Sequence, residues 1–227
     1  MSLRVLVVDD QDVVRAGLTA VIDAETDMTV VGEAGDGATA VRLAGELAPD
    51  VVVMDSRMQD PDGIAATRLI TGRENAPRVL VLTSFDLDVH VFDALRAGAS
   101  GFLLKDVTAA ELLHGIRMVA AGEGVLAPSA TRRLIGHYAS GAGTGSRSRN
   151  GPRQPVGPAG RERHLLTLIA SGLDDAEIAR QLGLTVGTVR SRIDALLGGL
   201  GLRDRVQATI LAYDLGLARP NPPASPV

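Results

Sequence analysis

The sequence predicts an α/β domain with a doubly wound, five-strand parallel sheet, then a flexible linker and an all-α domain of four helices. Two observations predict the first domain. Five short apolar runs alternate with segments of helical spacing over the first 105 residues, and these runs are apolar throughout. Such strands, buried on both faces and separated by helices, form parallel sheets with right-handed crossovers. A third observation separates the domains: Gly, Ser and Pro dominate from Ser140 to Gly160.

The five predicted strands are short and rich in β-branched residues. They are Arg4–Val8, Thr29–Val31, Val51–Met54, Val79–Leu82 and Phe102–Leu104. Ligands of parallel α/β sheets bind beyond the carboxyl ends of the strands, so the residues at those ends form the candidate site.

Composition excludes several classes of protein. The chain has no cysteine, which rules out disulfides, thiolate metal sites and cysteine nucleophiles. No run of 18 apolar residues and no signal-peptide pattern occurs, so we expect a cytoplasmic protein with no membrane partner.

Charge is distributed unevenly along the chain. Residues 1–140 carry 12 basic and 20 acidic side chains, whereas residues 161–227 carry eight basic and seven acidic ones. An acidic first domain and a mildly basic second domain predict different partners.

Lys105 is the only lysine among 23 basic residues. A lysine retained at this position indicates a tight anion site where the wide guanidinium group of arginine does not fit. The alternative is that this lysine remains by chance.

Polar side chains follow four of the predicted strands. Asp9 and Asp10 follow the first strand, Asp55 the third, Thr83 ends the fourth, and Lys105 follows the fifth. Three converging carboxylates raise one another's pKa unless a cation neutralises them, and Mg²⁺ is the cation that oxygen ligands favour. Carboxylate, metal, hydroxyl and ammonium together are what phosphoryl transfer to an aspartate requires.

Each of these residues also has an ordinary structural interpretation. Asp9 or Asp10 could cap the first helix, and Asp55 could be a loop carboxylate. Thr83 could be an ordinary strand end and Lys105 a solvated side chain. Their joint position at four strand ends favours a functional site.

Four segments resemble the receiver domain of NarL/FixJ-type response regulators. They are VLVVDD at 5–10, VVVMDSRM at 51–58, VLVLTSFD at 79–86 and RAGASGFLLKD at 96–106. The resemblance covers about the first 125 residues and implies a flavodoxin-like fold. It also implies that a sensor histidine kinase phosphorylates Asp55.

The same resemblance implies roles for the neighbouring residues. The implied Mg²⁺ ligands are Asp9, Asp10, Asp55 and the backbone carbonyl of Arg57. Thr83 and Lys105 would contact the phosphoryl group. Phe102 would be the switch aromatic whose rotamer follows Thr83, with a plain core aromatic as the alternative.

The second domain has the layout of a helix-turn-helix. Its four predicted helices are Arg161–Ser171, Ala176–Leu182, Val186–Leu200 and Asp204–Leu217. Thr185 caps the third of these. The predicted inward face of that helix consists of Val186, Val189, Ile193, Leu196 and Leu200, with small residues opposite and arginines on the flanks.

The segment GLDDAEIARQLGLTVGTVRSRI resembles a LuxR-type helix-turn-helix. The resemblance places Thr188, Arg190, Ser191 and Arg192 near promoter DNA, and Thr185 completes the candidate DNA-binding set. Asp194 and the low net positive charge predict modest affinity that depends on dimerisation.

Two apolar stripes run along the last predicted helix. One consists of Val206, Ile210, Tyr213 and Leu217, and the other of Ala208, Leu211, Ala212 and Leu215. One stripe packs on its own domain, so the second, Ala208 to Leu215, is the predicted dimerisation surface. A helix buried on all sides is the alternative.

The sequence therefore predicts a DNA-binding response regulator that is a homodimer when active. The expected parts are a receiver at 1–125, a connecting helix and linker at 126–160, a DNA-binding domain at 161–219 and a tail at 220–227. A phosphorelay or protein-interaction regulator that does not bind DNA is the alternative, and an enzyme with its own turnover is not expected.

Overall fold

The computed structural model of the chain describes residues 2–58, 62–83, 93–126 and 160–218. Tertiary contacts divide the chain into two compact units, Met1–Thr131 and Arg132–Val227. The predicted linker at 126–160 lies outside the described residues except at its two ends, and the predicted tail at 220–227 lies wholly outside them.

The first unit is a parallel sheet with the strand order β2–β1–β3–β4–β5–β6. The strands are β1 (Leu3–Val8), β2 (Met28–Ala34), β3 (Val51–Asp55), β4 (Arg78–Thr83), β5 (Gly101–Leu104) and β6 (Val125–Leu126). The helices are α1 (Asp12–Asp23), α2 (Gly37–Leu47), α3 (Gly63–Thr71) and α4 (Ala109–Ala120). All five predicted strands are confirmed. The sixth has only two residues, which is too short to produce a periodic pattern.

Burial explains why the central strands are apolar throughout. In β1 the residues from Val5 to Val8 are buried, and every residue of β3 is buried.

The edge strand β2 has mixed burial and runs three residues past the predicted end at Val31. Its pairing with β1 continues to Ala34 beyond a register shift between Val5 and Leu6, so ladder pairing overrides the weak strand propensity of Gly32–Ala34.

Capping residues define the starts of several helices. Asp36 caps α2 and Asp62 caps α3, and Thr108 and Glu111 form a capping box at the start of α4. Residues 93–96, which precede β5, are also helical.

The second unit contains the four predicted helices. They are α5 (Gly160–Ala170), α6 (Asp175–Leu182), α7 (Val186–Leu200) and α8 (Arg205–Asp214). Their core includes Leu166, Ile178, Val189, Ile193 and Leu196. The left-handed Gly183 ends α6 at a φ of 65°, and Thr185 then caps α7. The third helix has the predicted bounds, and the fourth ends three residues before the predicted Leu217.

Two side-chain predictions in this unit need correction. Val186 was expected on the buried face of α7, but it is 43% exposed, because it lies in the first turn, at the end of the packed stripe.

The predicted dimerisation surface on α8 does not point outward. Ala208 and Ala212 are fully buried in the core of their own unit, and Leu211 packs against that core. Only Leu215 of the predicted set is exposed, at 45%. Small alanine side chains suit the packing of α8 against α5. Val206 and Ile210 of the other stripe are buried as well, so neither stripe is free along its whole length.

Among the described residues, no helix combines the length and apolar character that crossing a bilayer requires.

Candidate functional site

Three carboxylates meet at the carboxyl ends of β1 and β3. One oxygen from each of Asp9, Asp10 and Asp55 lies within 4.8 Å of the other two. Asp9 and Asp55 are buried and Asp10 is exposed. The sheet produces this arrangement because β1 and β3 are parallel neighbours paired from Val5–Val51 to Val8–Met54.

Lys105 follows β5 and reaches two of these carboxylates. Its Nζ donates to Asp9 Oδ2 at 2.6 Å and lies 2.9 Å from Asp55 Oδ2. The lysine side chain is only 13% exposed, so these ion pairs are largely shielded from water. One ammonium group faces three carboxylates, and the cluster retains an excess of negative charge.

Burial raises the pKa of the Asp55 carboxyl group above its ordinary value. Hydrogen bonds from Lys105 and from the backbone N–H of Arg57 lower that pKa, and the charge of Asp9 raises it further. The pKa of Lys105 is also raised: burial lowers it, but the hydrogen bonds to Asp9 and Asp55 outweigh that effect. Burial would make either charge unfavourable alone. Asp55 and Lys105 therefore stabilise each other's charged form as an ion pair.

The remaining predicted site residues surround this cluster. Arg57 N–H donates to Asp55 Oδ1 at 3.1 Å, and the carbonyl oxygen of Thr83 accepts from Lys105 N–H at 2.7 Å. Thr83 is buried at the end of β4. Phe102 is buried on β5, where it pairs with Val81. The sheet therefore brings Thr83 and Lys105 to the edge that holds Asp55, while Phe102 lies two residues before the end of β5.

Helix α3 begins directly against the backbone of Asp55. A Cβ atom at Gly63 would overlap the carbonyl oxygen of Asp55 and would also crowd Ser56. No sequence pattern identifies Gly63, because a close backbone approach between β3 and α3 leaves no periodic signal.

The candidate DNA-binding residues lie together on α7. Thr185, Thr188, Arg190, Ser191 and Arg192 are all exposed within its cap and first two turns. The hydroxyl groups of Thr185 and Thr188 lie 2.8 Å apart, and Thr188 N–H donates to Thr185 Oγ1. The first turns of α7 thus present a surface of short polar side chains flanked by two arginines.

Asp175 forms an ion pair with one of those arginines, Arg190. Arg190 Nε lies 3.3 Å from Asp175 Oδ2, while Arg205 binds the other oxygen of the same carboxylate. The Arg190 side chain is 64% exposed, whereas that of Asp175 is 17% exposed. The two residues are 15 positions apart and lie on different helices, α6 and α7. The spacing of residues along one helix could not predict this contact.

Comparisons with known proteins agree with both halves of this description. Residues 5–117 match the family model of the response regulator receiver domain, and residues 159–212 match that of bacterial regulatory proteins of the luxR family. The transcriptional regulatory protein LiaR of Bacillus subtilis is 38% identical over 214 residues, which cover 93% of this chain and 97% of LiaR. The chain belongs to the two-component response regulators with a LuxR-type DNA-binding domain.

Other relatives of this response regulator have the same two-domain length. The DNA-binding transcriptional activator DevR/DosR of Mycobacterium tuberculosis is 36% identical and covers 96% of this chain and 97% of its own. The crystal structure of ChrA, a response regulator of a heme-sensing two-component system, has 33% identity and a TM-score of 0.52, covering 95% of this chain and 98% of ChrA. LiaR is named as a transcriptional regulatory protein and DevR/DosR as a DNA-binding transcriptional activator. Together with the luxR-family match, they place this response regulator among the DNA-binding transcriptional regulators.

Proposed function

We propose that Asp55 is the phosphoacceptor of this response regulator and that its phosphorylation by a sensor histidine kinase controls promoter binding in the cytoplasm. The observation that carries the proposal is the cluster of Asp9, Asp10 and Asp55 with Lys105 bound to two of them. Asp55 is the member that ends the central strand β3, and it contacts both Lys105 and the backbone of Arg57.

The same cluster suits Mg²⁺. Three carboxylates with oxygens within 4.8 Å of one another offer the hard oxygen ligands that Mg²⁺ prefers, and Lys105 offsets only part of their charge. Asp9, Asp10 and Asp55 would hold the ion together with the backbone carbonyl of Arg57. When bound, the ion would neutralise charge on the transferring phosphoryl group.

In the proposed transfer, one carboxylate oxygen of Asp55 attacks the phosphorus atom of the kinase phosphohistidine. The new O–P bond forms as the P–N bond breaks, and the bonding pair leaves with the imidazole nitrogen. Lys105 lies where its ammonium group can stabilise a phosphoryl oxygen on Asp55. Thr83, at the end of β4, is the second phosphate-reading residue, and Phe102 is the proposed switch that follows it.

The proposed output is DNA binding by α7 as a homodimer. Thr185, Thr188, Arg190, Ser191 and Arg192 are exposed together, and the first turns of a recognition helix are the part that contacts base edges. The buried stripe of α8 argues against Ala208 and Ala212 as dimer contacts, and Leu215 is the exposed residue of that set.

A protein-binding role of the second unit is the alternative. Arg190 is already paired with Asp175, and Asp194 adds an exposed negative charge to α7. Binding to a short duplex that weakens steeply as salt rises supports the DNA role, whereas no binding at low salt supports the alternative.

The phosphoacceptor is tested with acetyl phosphate, Mg²⁺ and intact-protein mass spectrometry. The parent protein should gain one phosphoryl group, and Asp55→Asn should gain none. Asp36→Asn is the matched control, because asparagine keeps the helix cap that Asp36 forms with Thr39, and it should be labelled as the parent is. Undiminished labelling of Asp55→Asn would overturn the assignment.

A further inference from the structure

The polar atoms of Asp9 are held in place from several directions. Its backbone N–H donates to the carbonyl oxygen of Ala34 at 3.1 Å. One carboxylate oxygen accepts from Gln11 N–H at 2.9 Å, and the other from Lys105 at 2.6 Å. The backbone carbonyl of this fully buried residue accepts from Arg15 Nη1 at 2.8 Å. Arg15 is the side chain of α1 that fixes the corner between β1 and α1.

We infer that Arg15 is a positioning residue that aims the carboxylates of Asp9 and Asp10 at a bound divalent cation. The inference rests on the proposed Mg²⁺ site. The Asp9 carbonyl is part of the peptide unit that joins Asp9 to Asp10. Rotation of that unit would displace Asp10, and a shift of the Asp9 backbone would redirect the Asp9 carboxylate. Arg15 opposes that rotation through the Asp9 carbonyl.

The other nitrogens of Arg15 fix its guanidinium group in turn. Nε donates to Glu33 on β2 at 3.2 Å, and Nη2 donates to Asp12 at 2.7 Å. The arginine side chain is 18% exposed, whereas that of Asp12 is 89% exposed. Three contacts from three different directions make the planar fork of arginine a rigid brace. The two carboxylates also offset its positive charge, which limits its repulsion of a cation bound nearby.

A brace of this kind differs from an ordinary surface ion pair. Arg42 pairs with Glu46 one turn away on α2, where both side chains are more than half exposed. Loss of that pair removes a weak local contact. Loss of Arg15 deprives a buried carbonyl of a hydrogen bond at the residue that supplies a predicted metal ligand. Groups that orient metal ligands typically change metal affinity by about tenfold or more when they are removed.

The test is isothermal titration of the full-length protein with MgCl₂, together with thermal unfolding in EDTA. Arg15→Met, which keeps the aliphatic stem and removes the three donors, should weaken Mg²⁺ binding about tenfold. Arg15→Lys, which keeps one charged donor, should lose less. Arg42→Met is the matched control and should bind Mg²⁺ as the parent does.

The outcomes separate a positioning role from a purely structural one. If Arg15→Met lowers the unfolding temperature in EDTA but binds Mg²⁺ with the affinity of the parent, the inference is wrong and the proposed site stands. Arg15→Lys gives the same comparison should Arg15→Met fail to fold. A parent protein that binds no Mg²⁺ at millimolar concentration would overturn the proposed metal site and the inference together.

Discussion

Asp55 combines two requirements that oppose each other at the scale of one residue. Burial raises its carboxyl pKa and so disfavours the charged form, while Lys105 and the Arg57 N–H stabilise that form. The proposed phosphoryl transfer requires the charged carboxylate of Asp55. Burying that charge lowers the free energy of unfolding of the first unit. The ion pair with Lys105 limits that cost without removing it.

The raised pKa predicts how stability changes with pH. The unfolded carboxyl group loses its proton near pH 4, below the pKa of folded Asp55. The contribution of Asp55 to the free energy of unfolding is therefore fully present below about pH 4. It is lost as pH rises through the pKa of the folded state. Because Asp55→Asn carries no charge to bury, it should unfold at a higher temperature than the parent in EDTA at pH 7.5.

The same comparison at pH 6 and pH 5 checks the sign. The advantage of Asp55→Asn over the parent should shrink as pH falls, because the raised pKa favours protonation of the parent carboxyl group more as the pH approaches it. Glu123→Gln, on an exposed residue of the first unit, is the control and should change the unfolding temperature little at any pH. An Asp55→Asn variant that is less stable than the parent at pH 7.5 would contradict this account.

Single residues differ in how far the sequence predicted them. Strand order placed Asp9, Asp10, Asp55 and Lys105 together because parallel strands end at a common edge. Arg15 was missed because its role depends on a hydrogen bond to a backbone carbonyl, and no side-chain pattern reports such a bond.

At the scale of elements, α7 was predicted better than α8. The bounds of α7 are confirmed because Thr185 and Gly201 mark its ends, and the apolar spacing identified Val189, Ile193 and Leu196 as core. In α8 both faces carry apolar residues, so periodicity could not decide which face meets its own core. In the structure both stripes hold buried residues: Val206 and Ile210 on one, and Ala208 and Ala212 on the other. Ala208 and Ala212 belong to the core of their own unit, where α8 packs against α5.

The charges on α7 lead to a prediction about salt dependence. Arg190→Ala or Arg192→Ala, if the lost contact is to phosphate, should weaken binding to specific and random duplexes alike and reduce the salt slope by about one unit. Loss of a base contact should instead cost about 1–3 kcal/mol on the specific site only. Asp194→Lys should tighten binding to both duplexes, since it replaces a repelling charge with an attracting one.

These variants are compared by titration with both duplexes at several salt concentrations. Arg163→Ala, which removes an exposed arginine on α5, is the control and should keep the parent slope. If the three α7 variants all match the parent on both duplexes, α7 does not contact DNA and the protein-binding role becomes the better hypothesis.

At the scale of the whole molecule, the two compact units have separate cores. Composition predicted this division, because the Gly-, Ser- and Pro-rich segment cannot build a core. The function of that segment as a linker stays a prediction, since nearly all of it lies outside the described residues. The sequence also could not predict β6, whose two residues gain their strand geometry from pairing with β5.

Separate cores predict that damage in one unit leaves the chemistry of the other intact. Leu166 is fully buried in the second unit, and Leu166→Ala should destabilise that unit by about 2–5 kcal/mol. Hydrogen exchange should show loss of protection in α5 to α8 only, while acetyl phosphate labels Asp55 as in the parent. Leu80→Ala in β4 should give the reverse pattern. Loss of labelling in Leu166→Ala would show that the units fold as one.

Gly63 bears on how such a protein can change over evolutionary time. Any larger residue there would have to move the carbonyl of Asp55 first, whereas Gly17 in α1 has open space around it. A lineage can therefore alter position 17 in one step, but position 63 only after its loop has been rebuilt. The inheritance of the proposed phosphorylation chemistry would thus depend partly on a residue that has no side chain at all.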